Sequence, residues 1–142
     1  MIEKLDLNST YFDILEYNFT DVFTQDKVKY DIKNNSFTNY YIYKIDNNVV
    51  AFINYQVMYE RAELIQISVK EEYQNQKIAS KLLEFMFNDL KEKQVESVTL
   101  EVKVTNEKAI HLYKKFGFIE ISLSKGYYKG IDAILMKKEV IK

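Results

Sequence analysis

Residues 70–77 set a polar loop directly ahead of an apolar helix, and that junction is where this chain most readily builds chemistry. Lys70 to Gln76 is charged and polar; from Lys77 onward Ile78, Leu82, Phe85, Met86 and Leu90 recur at three and four, one face of a helix. The first N–H groups of a helix lack intrahelical partners. Together with the helix dipole they make an anion site suited to phosphate. Shape alone does not separate such a site from a helix N-terminus that binds only water. Two other residues carry candidate chemistry. Glu101 lies in the run Ser97 to Val104, where Val98, Leu100, Val102 and Val104 point one way and Thr99, Glu101 and Lys103 the other. A carboxylate there is either a general base or a solvated outward charge. Tyr113 carries a phenolic hydroxyl, and its helical spacing with Ala109 and Phe116 reads as core packing. His111 is the only histidine; two residues from Tyr113, it faces away from that side of its helix and reads as a surface or packing residue.

Composition bounds the function classes. The chain has 142 residues, enough for a single domain over 1–142 with one core, and 47% of them are hydrophobic. The net charge of −1, without a block of like charges, argues against a nucleic-acid surface. With no cysteine there is no disulfide, thiolate metal site or thiol nucleophile, and a lone histidine argues against a histidine metal site. The opening MIEKLDLNST lacks an apolar signal core, and the longest apolar runs fall far short of a membrane span. A cytoplasmic location without membrane attachment is the expectation; the oligomeric state is left open. There is no proline, and the three glycines, Gly117, Gly126 and Gly130, all lie late in the chain, so the phosphate loop has none. Glycine is the residue that adopts positive φ freely and lets backbone crowd a ligand.

The elements that must position these residues follow from pattern. Tyr11 to Phe19 and Asp21 to Lys33 read as two helices, the second with Thr24 as a plausible cap and Val28 and Ile32 inward. Tyr40 to Ile45 and Val49 to Tyr59 are strands joined by Asp46-Asn47-Asn48, a hairpin turn. Ala62 to Val69, rich in β-branched and aliphatic residues, is a buried strand. After the central helix and the strand at Ser97–Val104, Thr105 and Asn106 carry cap chemistry for a helix from Glu107 to Phe116, stopped by Gly117. Phe118 to Ser124 and Ile131 to Lys138 close the chain as a hairpin around Gly126 to Gly130. This is an α/β (α+β) pattern: a single mixed sheet flanked by helices, whose strand order periodicity leaves undetermined.

Gln74-Asn75-Gln76-Lys77-Ile78-Ala79 resembles the acetyl-CoA loop of the GCN5-related N-acetyltransferases, the GNAT family: Gln74 and Ala79 match its first and last positions, and Lys77 stands where the family usually has glycine. Leu100-Glu101-Val102, Thr105-Asn106, Ala109-Ile110, Leu112-Tyr113 and Gly117-Phe118 resemble its RimI-type branch of ribosomal-protein-alanine N-acetyltransferases. The resemblance covers Ala62 to Met136 and is loose before that. It implies a GNAT-like, mostly antiparallel sheet splayed between the strands at 62–69 and 97–104. The pantetheine arm of acetyl-CoA would lie in the gap like an added strand, on the main chain of Ile67, Ser68 and Val69, with an N–H there meeting the developing oxyanion. Asn75, Gln76, Lys77, Ile78, Ala79 and Ser80 would cradle the pyrophosphate, and Asn106 would bond the pantetheine arm. Glu101 matches the family's general base and Tyr113 its general acid for the leaving thiolate. The implied acceptor is a free amine: the N-terminal α-amine of a ribosomal protein, with a small amine or lysine as the alternative. A CoA-binding module without catalysis is a third reading, against which Glu101, Asn106 and Tyr113 argue. Tyr127 and Tyr128 would line a peptide groove or merely form an aromatic-rich hairpin. The stretch Asp21 to Asp26 lacks the branch's Pro and Trp, and the loop after Tyr128 is short; both departures touch acceptor recognition. At Lys77 an ordinary helical conformation is expected, with the ammonium curling toward the phosphates or pointing into water.

Overall fold

The described residues form seven strands and four α-helices in the chain order β1 (Ile2–Lys4), α1 (Phe12–Asn18), α2 (Gln25–Asn34), β2 (Thr38–Ile45), β3 (Asn48–Met58), β4 (Arg61–Val69), α3 (Ile78–Glu92), β5 (Ser97–Lys103), α4 (Glu107–Lys115), β6 (Ile119–Tyr128) and β7 (Ile131–Glu139). The structure, a computed structural model, describes residues 1–141, with nothing described for the side chains of Tyr127 and Tyr128; the groove-lining role expected of those two lies outside the described residues. The strands form one sheet in the order β1-β2-β3-β4-β5-β7-β6. Every neighbouring pair is antiparallel except β4–β5, which is parallel. A parallel pair needs a crossover, and α3 supplies it.

β3 is buried continuously from Val49 to Tyr55, because helices cover it on both faces. On one face Phe12, Leu15, Phe19 and Phe23 from α1 and the turn after it pack against Phe52 and Ile42; the Phe19 and Phe23 rings meet Phe52 edge-on at 5.1 and 5.3 Å. On the other, Ile78, Leu82, Leu83, Met86 and Leu90 of α3 pack with Val98, Leu100 and Val102 of β5. The alternation read along β5 holds: Val98, Leu100 and Val102 are buried, while Thr99 and Glu101 are half-buried and Lys103 is exposed. Among the described residues no helix is long and apolar enough to cross a membrane.

Several boundaries differ from the sequence reading. The three-residue edge strand β1 is too short to leave a pattern. α2 begins at Gln25 rather than Asp21, because the Val22 and Phe23 N–H groups turn back to the Phe19 carbonyl at 3.0 and 2.7 Å. Thr24 holds the N-cap position without a side-chain cap bond; Glu16 of α1 instead accepts the Gln25 Nε2 at 2.9 Å and the Gln25 N–H at 3.1 Å, and these two bonds, the side-chain one foremost, hold the Glu16 carboxyl below the usual range. β6 runs on to Tyr128, so the closing turn is Lys129–Gly130 and not a five-residue loop. The first hairpin falls where expected but its turn is one residue shorter, with Asn48 already in β3: Ile45 pairs with Asn48 and the two loop residues, Asp46 and Asn47, have φ of 50° and 68°.

One irregularity decides what β4 presents. Tyr55 pairs with Leu64 and Asn54 with Gln66, which leaves Ile65 as an extra, exposed residue, a β-bulge. The bulge flips the parity of the strand. Ala62 and Leu64 face α3 before it, and Ile67 and Val69 face α3 after it. Gln66 and Ser68 therefore share the opposite face, where the Gln66 Nε2 donates to Ser68 Oγ at 2.7 Å.

Candidate active site

β4 and β5 pair at three positions only, Arg61–Ser97, Ala62–Val98 and Glu63–Thr99, and then part. Beyond Glu63 the edge of β4 toward β5 has no strand on it. The direction of its main chain follows from two bonds. The Lys70 N–H donates to the Val50 carbonyl at 2.8 Å, toward β3; the Val69 carbonyl accepts the Gln74 Nε2 at 3.1 Å, away from β3. Alternation along an antiparallel pair then turns the N–H and C=O of Val69 and Ile67 into the gap and those of Ser68 back to β3. The main-chain role expected of all three residues narrows to Ile67 and Val69.

After β4 the chain makes a short 3-10 turn over Glu71–Tyr73 and enters α3 through two left-handed residues, Asn75 at φ 65° and Lys77 at φ 63°, ψ 21°. The expectation of an ordinary helical Lys77 is therefore wrong. The loop keeps the backbone that glycine would take there and imposes it on a residue with a Cβ. The first α3 turn closes with the Lys81 N–H on the Lys77 carbonyl at 3.0 Å, so the N–H groups of Ile78, Ala79 and Ser80 have no intrahelical acceptor. Lys77→Gly should raise stability by about 0.5–1 kcal/mol, the left-handed penalty less the entropy a glycine adds. Chemical denaturation of the two proteins checks this, and a loss of stability would contradict the backbone described.

α4 forms the facing wall. Asn106 caps it, its Oδ1 accepting the Ala109 N–H at 3.2 Å, which leaves the Nδ2 uncommitted. Tyr113 is buried, its ring edge-on to Phe118 at 5.8 Å, and burial pushes its hydroxyl up to about 12. No group among the described residues hydrogen-bonds that hydroxyl.

These elements enclose a groove of about 460 Å³. It gathers most of the residues anticipated from sequence: Ile67, Val69, Asn75, Lys77, Ile78, Ala79, Ser80, Asn106 and Tyr113. Gln76 is exposed and outside the lining. Ser68 opens on the other face of the sheet, into a second hollow of about 380 Å³ walled by residues 18–22 and by Gln74. Glu101 belongs to that same face: it is the first residue of β5 beyond Thr99 to point away from Leu100 and Val102. Ile67, Val69 and Gln74 border both spaces. Sequence reasoning missed Tyr73, Lys108, Leu112 and Lys115 as lining residues, and placed His111 away from Tyr113, whereas it is exposed but stands in the same groove wall. The helical spacing of Lys108, His111 or Leu112, and Lys115 was the available signal.

Residues 5–118 match the Acetyltransferase (GNAT) family. The chain belongs to that family. An N-alpha-acetyltransferase of Saccharolobus solfataricus is 33% identical over 113 residues, 70% of this chain and 68% of that protein. The [ribosomal protein bS18]-alanine N-acetyltransferase of Escherichia coli K12 is 34% identical over 87 residues, 61% of this chain and 59% of that one. The crystal structure of the E. coli ribosomal-protein-S18-alanine N-acetyltransferase shares the fold with a TM-score of 0.85 at 25% identity, covering 100% of this chain and 96% of that one. A GNAT acetyltransferase of Elizabethkingia anophelis, solved with acetyl-CoA bound, gives 0.79 at 19% identity over 98% and 97% of the two chains.

Proposed function

We propose that this chain transfers acetyl from acetyl-CoA to a free α-amine, that of a ribosomal protein's N-terminus. The observation that carries the reading is the opening between β4 and β5, with a groove on one face of the sheet and a hollow on the other. A donor entering from the α3–α4 face and an acceptor entering from the α1–α2 face meet at the Ile67–Val69 main chain. The relatives' named activities, alanine N-acetylation of ribosomal protein bS18 and N-alpha-acetyl transfer, favour an α-amine over lysine or a small amine.

The residues present fit acetyl-CoA. An unpaired strand edge accepts an amide-bearing chain by strand addition, and the pantetheine arm carries such amides. Uncommitted N–H groups at the start of α3, with Asn75 and Lys77 turned left-handed before them, suit a pyrophosphate. The Asn106 Nδ2 is free to donate to the arm from the facing wall.

Bound acetyl-CoA supplies a thioester, whose carbonyl carbon bonds the amine nitrogen as the carbon–sulfur bond breaks. The protein's work is placement and proton handling. The Val69 or Ile67 N–H, turned into the gap, donates to the carbonyl oxygen. Glu101 takes the proton the amine must lose, directly or through a water. Tyr113 donates a hydrogen bond to the departing sulfur. A thiol titrates near about 8.5, so handing over the phenolic proton completely is uphill for a hydroxyl raised to about 12. Tyr113 thus acts as a neutral donor, and the sulfur's proton comes from solvent.

Acetyl-CoA should raise the melting temperature, because it binds the folded state alone, whereas ATP and NADH should leave it nearly unchanged. An equal rise with ATP would remove the groove as a CoA site.

A further inference from the structure

We propose that the α4 wall of the groove, through Lys108 and Lys115, binds the ribose 3′-phosphate of the donor, so that the protein prefers acetyl-CoA to its 3′-dephospho form. The inference rests on the reading of the groove as the acetyl-CoA site. The chain has 21 acidic and 20 basic residues, yet the groove lining includes three lysines and no Asp or Glu. Such segregation in a nearly neutral protein marks a site for an anion. Lys77 and the N–H groups at the start of α3 account for a pyrophosphate on one wall. Lys108 and Lys115 stand on the opposite wall, about two helical turns apart along one stripe of α4, and have no phosphate assigned to them.

Their charges are directed at the groove and not neutralised. The Lys108 Nζ reaches across to the Gln74 Oε1 at 3.3 Å, a neutral acceptor. Lys115 makes no ion pair among the described residues. Their neighbour Lys114 is the contrast: it lies outside the lining and faces Glu120 at 3.6 Å. His111, between the two lysines on the same wall, adds a ring nitrogen to the stripe. A phosphate monoester carries close to two negative charges near neutral pH, which two ammonium groups match.

The test is titration of the protein with acetyl-CoA and with 3′-dephospho-acetyl-CoA at two ionic strengths. The native chain should bind acetyl-CoA about fivefold to tenfold more tightly, the effect of two exposed ion pairs near the middle of their range, and the ratio should narrow as salt rises. The Lys108→Ala/Lys115→Ala double variant should bind the two nucleotides alike, and Lys114→Ala should keep the native ratio. Equal binding of both nucleotides by the native chain would overturn the proposal. So would a double variant that weakens both equally, since the lysines would then serve the pyrophosphate or the general field. Failure of both nucleotides to bind the native chain would overturn the acetyl-CoA reading as well.

Discussion

Glu101→Gln lowers kcat/KM toward a free α-amine about 100-fold near neutral pH, the usual cost of a lost general base. The substitution keeps the size of the side chain and removes only its capacity to take a proton. Glu101 is half-buried on β5 at the level where β4 has already turned away, on the face that carries Ser68. It lies outside the donor groove, so acetyl-CoA affinity should hold within a factor of about two, as for a residue that touches no bound ligand atom. A free α-amine titrates near about 8, so the deficit should shrink as the pH rises and the acceptor arrives unprotonated. A deficit independent of pH, or a matching loss of acetyl-CoA affinity, would mean that the carboxylate has a structural role. Steady-state rates over pH 6 to 10 separate these outcomes.

Tyr113→Phe lowers kcat about tenfold to a hundredfold, the value of one hydrogen bond to a developing charge, and leaves stability unchanged or slightly improved. The ring packs on Phe118, and phenylalanine retains that contact. The hydroxyl has no partner among the described residues, so its removal strands no other group. Tyr113→Ala, in contrast, also loses the packing, at about 3–5 kcal/mol. The pH dependence has a definite sign. Burial raises the hydroxyl from its ordinary value of 10 to about 12, so the neutral donor persists through the range in which activity is measured, and this residue contributes no alkaline fall in rate. Between those two values the unfolded chain loses the proton first, so stability falls as pH climbs through the window. Full turnover of Tyr113→Phe, measured where chemistry limits the rate, would remove the hydroxyl from the mechanism.

Much of this site could be read from residue pattern because its parts lie on regular elements. The period of two along Ser97–Lys103 separates Glu101 from the core residues without any structure. The apolar stripe from Ile78 to Leu90 places the α3 N-terminus behind a polar loop. What could not be read was irregular backbone and the packing of elements against each other. A bulge at Ile65 leaves no mark in residue type, yet it decides that Ile67 and Val69, and not Ser68, line the groove. Lys77 gives no warning of positive φ, because lysine is rarely held there; the loop's shape overrides the residue's preference. His111 was misplaced because helical phase alone does not say how wide a wall α4 presents to the groove. The opening of the sheet came from the family resemblance, since pattern does not fix the order of strands.

The most direct measurement of the central claim offers the protein acetyl-CoA and two peptides of the same sequence, containing one lysine. The first peptide carries the free N-terminus of a small-subunit ribosomal protein, and in the second that N-terminus is blocked. The account predicts acetylation of the first peptide at its α-amine, located by fragment mass spectrometry, and little turnover of the second. Preferential acetylation of the blocked peptide at lysine, or no transfer to either while a small amine is acetylated, would contradict it.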